Sequence, residues 1–384
     1  MPGFNSMDDV ISKLSEFGQT YRADWQKSFN PTTAAVAGEW HSLQRGAGNP
    51  PADNIMNTGT NLSFQQLKDT TTGAGNIQHG GDVSPNYKHI LNVSAYTAAG
   101  TVAPCVLQLV DLLGWYRVTS VTTTTAQATT NTFQSLTTFT ADAGTDIITH
   151  NNIGLQHLTL VRLTTTGTLP AGLATGTDYY TIKVSDTTLE LASSYANAVA
   201  GTQINITDAG TGTHTIATIL PRYTNGNGVQ AYFVNTNATA LGAATPNLSL
   251  GYTNSTGTAS RATPAVLPIG KTAAANQLVL YSGTGNGKYN PYVPKQAGDT
   301  GIASVQTIQN STSYVSGEYA VVLCRPILTL PITTLGVAAE RDLLNQVPSL
   351  PRIYDGACLS WLMYSGAATP ANSALIGHID FAWG

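Results

Sequence analysis

Seven histidines, three cysteines and five glutamates are the residues from which a catalytic or metal centre would have to be drawn. Their spacing is poor for that purpose. None of the histidines (His41, His79, His89, His150, His157, His214, His378) falls in an H-E-x-x-H pair, and none stands at ligand spacing from a cysteine. His79-Gly80-Gly81-Asp82 reads as a turn before a strand. No G-x-S-x-G elbow raises a nucleophilic serine. Ser282-Gly283-Thr284-Gly285-Asn286-Gly287-Lys288-Tyr289 looks at first like a phosphate loop. It has Ser282 where the first glycine must be and Tyr289 where Mg²⁺ needs a hydroxyl from Ser or Thr, so it reads as a Gly- and Asn-rich hairpin or loop. With glutamate only at positions 16, 39, 190, 318 and 340, a glycosidase-type carboxylate pair has few candidates. Asp142, Asp146 and Asp208 would have to converge to hold Ca²⁺, and turn-forming aspartates explain them more simply. Cys105, Cys324 and Cys358 lie in apolar runs with no CxxC. They read as buried, inert thiols of a chain made in a reducing cytoplasm. No catalytic residue, cofactor or metal ligand is expected.

The background to this sparse chemistry is a chain of 384 residues with 17 Lys and Arg and 21 Asp and Glu, only 10% charged. An ordinary soluble domain carries roughly 25%. No apolar run is long enough to cross a bilayer as a helix, and the N-terminus has no basic and apolar signal pattern. The chain is 42% apolar with 17 Tyr and 5 Trp, enough for a core. A net charge of −4 with scattered lysines and arginines argues against direct nucleic-acid binding. Burying ions is costly, so scarce charge fits a protein whose surfaces are covered by neighbours.

The pattern predicts one long helix, over residues 6–29. Ser6 with Asp9 makes a capping pair. Val10, Leu14, Phe17, Tyr21 and Trp25 recur at spacings of three and four, forming one stripe for contact with symmetry mates or a neighbouring protein. Gly18 weakens that helix by roughly 1 kcal/mol. Residues 30–60 read as an extended linker, so 1–60 form an N-terminal arm. Beyond 61, short β-branched and aromatic runs alternate with turns. They predict strands at 90–96, 106–112, 116–121, 230–235, 248–252, 277–281, 303–308, 319–325, 359–364 and 376–381, with one short helix at 337–346. Residues 139–217 open on Asp142-Ala-Gly-Thr-Asp and close on Asp208-Ala-Gly-Thr-Gly. They predict a small β domain inserted into a discontinuous one made of 61–138 and 218–384. The fold class expected is mainly β: a jelly-roll-like sandwich with an inserted β domain and a helical arm.

The inserted segment resembles a small β module of tailed-bacteriophage structural proteins, through Asp142-Ala-Gly-Thr-Asp, Leu163-Thr-Thr-Thr-Gly-Thr-Leu-Pro-Ala-Gly-Leu, Asp178-Tyr-Tyr and Ile206-Thr-Asp-Ala-Gly-Thr-Gly-Thr-His-Thr-Ile. The remainder resembles a phage virion-protein family. It does so through His79-Gly-Gly-Asp-Val-Ser-Pro, Leu109-Val-Asp-Leu-Leu-Gly-Trp-Tyr, Leu220-Pro-Arg-Tyr-Thr-Asn-Gly-Asn-Gly-Val, Gln296-Ala-Gly-Asp-Thr-Gly-Ile, Glu340-Arg-Asp-Leu-Leu and Leu350-Pro-Arg-Ile-Tyr-Asp-Gly-Ala. The resemblance implies a non-enzymatic virion component with a jelly-roll-like body, located on the capsid. A major capsid protein of that class is expected to have a spine helix and an α/β body, which this sequence lacks. The expectation is therefore a capsid decoration or cement protein, homotrimeric and bound to the phage major capsid protein, with no membrane partner. The alternatives are a tail, fibre or baseplate protein that binds the host, or a capsid-forming jelly-roll protein.

Overall fold

The computed structural model describes residues 3–28, 38–99, 104–236, 241–242, 246–264, 290–346, 350–366 and 373–384. The expected strand 277–281 and the loop 282–289 lie outside them. The fold is mainly β, and the strands paired among the described residues run antiparallel, with isolated parallel bridges at Asn61–Arg117 and Ser63–Thr130. No helix among the described residues is long and apolar enough to cross a membrane.

Among the described residues, three open sheets form the body. The first runs Ala339–Asp342, Lys88–Ala99, Ala374–Trp383, Thr20–Ser28, Gly48–Asn49, with Arg352–Ile353 added to Lys88–Ala99. The second runs Gln230–Asn235, Tyr319–Ile332, Cys105–Val118, Leu359–Ser365, Glu39–Ser42, with Phe64–Gln66 added to Cys105–Val118. The third runs Arg261–Ala262, Leu248–Asn254, Ile302–Asn310, Gln127–Ala128. The second sheet is the middle layer, and strand Cys105–Val118 shows why. Its Cys105, Leu107 and Leu109 enter a core with Ile90, Val93, Ile379 and Phe381 of the first sheet. Its Val110, Leu112 and Tyr116 enter another with Leu250, Val305 and Ile308 of the third. A strand buried on both faces reads as a continuous apolar run rather than an alternation. The two strands expected at 106–112 and 116–121 are one strand passing through Gly114. A Cβ there would stand 2.5 Å from the Phe64 ring, so glycine lets the strand continue across that aromatic.

The fourth sheet closes on itself as a six-stranded barrel: Leu160–Thr165, Tyr179–Lys183, Thr188–Ala192, Ile147–His150, Gln134–Asp142, His214–Thr218. It has its own core, which includes Phe139, Ile148, Val161, Leu163, Leu189, Leu191 and Ile216. Its first strand begins before the expected boundary at 139. Its turns are made by the small polar residues the sequence offers. Asp142 Oδ1 accepts from Gly144 N (2.8 Å) and Ser185 Oγ from Thr187 N (3.2 Å).

The N-terminal segment corrects the sequence reading. The helix starts where expected, with the Ser6 hydroxyl accepting from Asp9 N, but it spans only Met7–Ser15. Gly18 then adopts φ +62°, a left-handed conformation that ends helices cheaply only at glycine. Residues Thr20–Ser28 form a strand paired along its whole length with Ala374–Trp383. Ala23, Trp25 and Lys27 are buried and Arg22, Asp24 and Gln26 exposed, a period of two. Tyr21 and Trp25 fitted the helical stripe because a spacing of four also keeps two residues on one face of a strand. The expected arm is corrected as well. Trp40, His41, Ser42, Leu43 and Gln44 are buried, and Glu39–Ser42 edges the second sheet, so this part of 30–60 belongs to the body. The short helix expected over 337–346 is a strand, Ala339–Asp342, followed by one turn, Leu343–Gln346. Asp342 Oδ1 caps that turn by accepting from Leu344 N.

Candidate functional site

The five residues expected to share one contact stripe are separated. In the helix, Val10 is buried and Leu14 half-buried, both turned toward the body. Phe17 is 65% exposed, Tyr21 37% exposed and stacked on Phe381 with ring centroids 6.5 Å apart. Trp25 is 1% exposed and packs on Trp361 at 5.5 Å, deep between the first and second sheets. The outward apolar residues of the helix are Met7 and Ile11, four apart, with Phe17 just beyond its end. A helix of this length with apolar side chains on both inner and outer faces leaves the outer ones in water unless something covers them.

The turn at His79 is more than a turn. Asp69, His79 and Asp82 bring their ligand atoms within 4.8 Å of one another, the one such group among the described residues. Lys88 decides its chemistry. The buried ammonium donates to His79 O (2.7 Å) and Gly81 O, and lies 3.0 Å from His79 Nδ1. An ammonium only donates, so Nδ1 accepts and the imidazole proton sits on Nε2, 3.2 Å from Asp69 Oδ2. With that proton in place and a resident cation beside it, the set does not fit a metal ion. Burial works upward on the Asp69 carboxyl, but hydrogen bonding from His79 and from the Thr70 amide holds it below its usual value. Asp82 and Asp355 are engaged as a reciprocal clamp: Gly356 N donates to Asp82 Oδ1 (2.8 Å) and Val83 N to Asp355 Oδ1 (3.0 Å).

Burial lowers Lys88 to about 8 against the pull of Asp355, Asp82 and Asp69, and lowers Lys27 to about 8 against Asp53. The unfolded lysines keep their protons to 10.5, so the unfolded chain binds more protons between these values and stability rises with pH across them. The three buried cysteines, raised above their ordinary 9, and buried tyrosines such as Tyr116 and Tyr232, raised above their ordinary 10, have the opposite sign once the pH passes those values. Urea midpoints should therefore climb from pH 8 to about 9 and fall above it. The climb should flatten in Lys88→Met with Lys27→Met. A flat wild-type profile would contradict this.

A cleft of about 560 Å³ separates the barrel from this clamp, lined on one side by His150 to Gly154 and on the other by Asp82, Ser84 to Asn86 and Arg352 to Asp355. Burial, helped by Lys183, lowers His150 to about 4, so its ring is neutral at pH 7. The Tyr87 hydroxyl donates to Asp186 of the barrel, tying the two sides together. Asp142, Asp146 and Asp208 do not converge: Asp146 Oδ1 accepts from Ile206 N and Asp208 Oδ1 from Gly210 N and Ala171 N. All three cysteines are buried, and burial raises every thiol, Cys105 to about 12. They are poor nucleophiles.

Sequence reasoning missed the arginines. Leu220-Pro221-Arg222 and Leu350-Pro351-Arg352 were visible as motifs, but only the structure shows that one arginine is buried on Asp111 and the other is not paired with an acid.

No family model matches this chain, and no curated protein does. One solved structure, described as "Structure of infectious bursal disease virus Gt strain", overlays on 97% of this chain and 86% of its own, at 10% identity and a TM-score of 0.14. At that score the overlay carries no argument about fold or function.

Proposed function

We propose that the chain is a structural protein of a tailed-bacteriophage virion, a capsid decoration protein that docks on the assembled head as a homotrimer. In this reading the three open sheets are a jelly-roll-like body, and the barrel is a small domain inserted into it. The observation that carries the reading is the outward face of the N-terminal helix, Met7 and Ile11 with Phe17, a contact surface that a lone chain leaves uncovered. The residues quoted above for the resemblance support it, as does the scarcity of charge. Their side chains serve as internal pins, such as Asp111 with Arg222 and Asp82 with Gly356, and Asp299 accepts from Tyr252, Asn254 and Arg261. Binding would be multivalent and modest at each site. A subunit that prefers the closed shell to free shell protein stabilises the shell by mass action.

The test is co-sedimentation of the purified protein with phage heads that lack it. Saturable, stoichiometric occupancy that raises the temperature of DNA release is the expected outcome. Absence of binding to heads, with binding to tails or host cells instead, would overturn the reading.

A further inference from the structure

The chain has nine arginines. Six of them, Arg22, Arg45, Arg117, Arg162, Arg222 and Arg261, sit on a carboxylate. Among the described residues the other three, Arg325, Arg341 and Arg352, have no carboxylate partner, and all three line the same trough of about 660 Å³. In a protein that neutralises its other arginines internally, three free ones in one concavity form a local positive site.

The three are held in place without a direct carboxylate contact, although the Asp186 carboxylate is close enough to feel the charge of Arg352. The Arg352 guanidinium lies 3.4 Å from the Tyr87 ring centroid and 4.3 Å from that of Tyr354. Tyr354 meets Tyr223 edge-on at 4.9 Å, and Arg325 lies over Tyr223 at 5.5 Å. The rings take up guanidinium faces and leave N–H edges for a planar acceptor. The Arg352 Nε is buried with no hydrogen-bond partner. Arg325 and Arg341 each give one nitrogen to a backbone oxygen, of Asn227 (3.0 Å) and Thr329 (2.7 Å). The rest of the trough is aliphatic, with Pro326, Ile327, Leu328, Leu343 and Pro351.

A ligand for this surface needs carboxylates beside apolar side chains. A nucleic-acid strand fits poorly, because the trough shares Arg352 and Tyr354 with the cleft that holds Asp82 and Asp355, which repel a continuous polyanion. An inorganic anion would leave the aliphatic wall unused. The helix Met7–Ser15 and its flank have the complementary character. Asp8 and Glu16 are exposed, against the single helix cation Lys13, whose ammonium lies 5.4 Å from the Phe17 ring centroid; no residue of this helix is in an ion pair with an arginine, and Met7, Ile11 and Phe17 point outward. We infer that the arginine trough of one copy receives the acidic outer face of the N-terminal helix of a second copy. This deepens the proposed function, and rests on it, by naming the surfaces through which copies associate. A head-to-tail contact of this kind closes into a ring when its rotation permits, and a trimer is one such closure.

The test is sedimentation velocity on the full chain, alone, over a range of concentrations. Wild type should associate. Arg325→Gln with Arg341→Gln should weaken association by about tenfold or more, as truncation of a charged pair does. Asp8→Lys with Glu16→Lys, on exposed positions, should do the same with no change in the urea midpoint. Combining Asp8→Lys and Glu16→Lys with Arg325→Glu and Arg341→Glu should restore association. A monomeric wild type, association that ignores the helix charges, or a charge swap that restores nothing would each overturn the inference. So would arginine-dependent binding of a single-stranded oligonucleotide that helix substitutions leave untouched. No phage head is present in this experiment. Loss of head binding with intact self-association would therefore count against the proposed function and leave this inference standing.

Discussion

Asp111→Asn should lower the unfolding free energy by about 3–5 kcal/mol, the usual cost of stranding one partner of a buried ion pair. Asp111 lies in the middle of strand Cys105–Val118 and accepts from Arg222 Nε (2.8 Å), from the second Arg222 nitrogen (2.6 Å) and from Cys358 N (2.9 Å). Both side chains are nearly inaccessible, at 1% and 3% exposure. Arg222 also donates to Leu67 O and Leu112 O, so neutralising the carboxylate leaves a fixed, dehydrated guanidinium. Arg222 follows the last barrel strand closely, so the pair pins the chain to the middle sheet as it leaves the barrel. Asp111→Leu with Arg222→Met should recover much of the loss, because the cost lies in the orphaned charge rather than in the missing attraction. Arg22 with Asp380 is the internal control. That pair is also bidentate, but its arginine side chain is 58% exposed, so Asp380→Asn should cost less than about 1 kcal/mol. Equal urea midpoints for the two single variants would refute this description of the middle sheet.

The N-terminal residues should divide sharply by the side of Gly18 on which they lie. Trp25→Ala should cost about 3–5 kcal/mol, the range for emptying a large aromatic site in a core. Trp25 is enclosed by Trp361 and by the backbone of Gly377, where a Cβ would come within 2.8 Å of its ring. Phe17→Ala should change stability by no more than about 0.5 kcal/mol, as for an exposed site away from structural features. Removing residues 1–18 should leave a folded body that, under the proposed function, does not occupy heads, whereas removing residues 1–28 should unfold it by taking a strand from the first sheet. Thermal unfolding and head co-sedimentation on the four proteins separate these outcomes. A destabilised Phe17→Ala, or full head occupancy without residues 1–18, would contradict the division.

Much of the fold was legible because strand signals are local. Gln230–Asn235 lies where its β-branched and aromatic run placed it, and the barrel's turns fall on Asp-Ala-Gly-Thr and Ser-Asp-Thr as their side-chain chemistry dictates. The helix start was legible because a cap is one hydroxyl and one amide three residues apart. Its end was not. A Tyr–Trp spacing of four satisfies both periodicities, and only pairing with Ala374–Trp383, more than 340 positions away, decides for the strand. Cys105–Val118 was split in two because glycine usually marks a turn, whereas Gly114 makes room for Phe64. The arginines were illegible for a related reason: their partners are remote in sequence. Leu-Pro-Arg occurs twice, yet Arg222 meets an aspartate from a distant strand while Arg352 is stacked between tyrosines and opens on a trough.

Reconstruction of phage particles purified from cells that produce this chain tests the proposed function most directly. The proposed function predicts β-rich density fitting the three sheets and the barrel at symmetry-related positions on the outer surface of the head, with Met7, Ile11 and Phe17 inside a contact. Density confined to the tail, a continuous shell built from this chain alone, or no copy in the particle would contradict it.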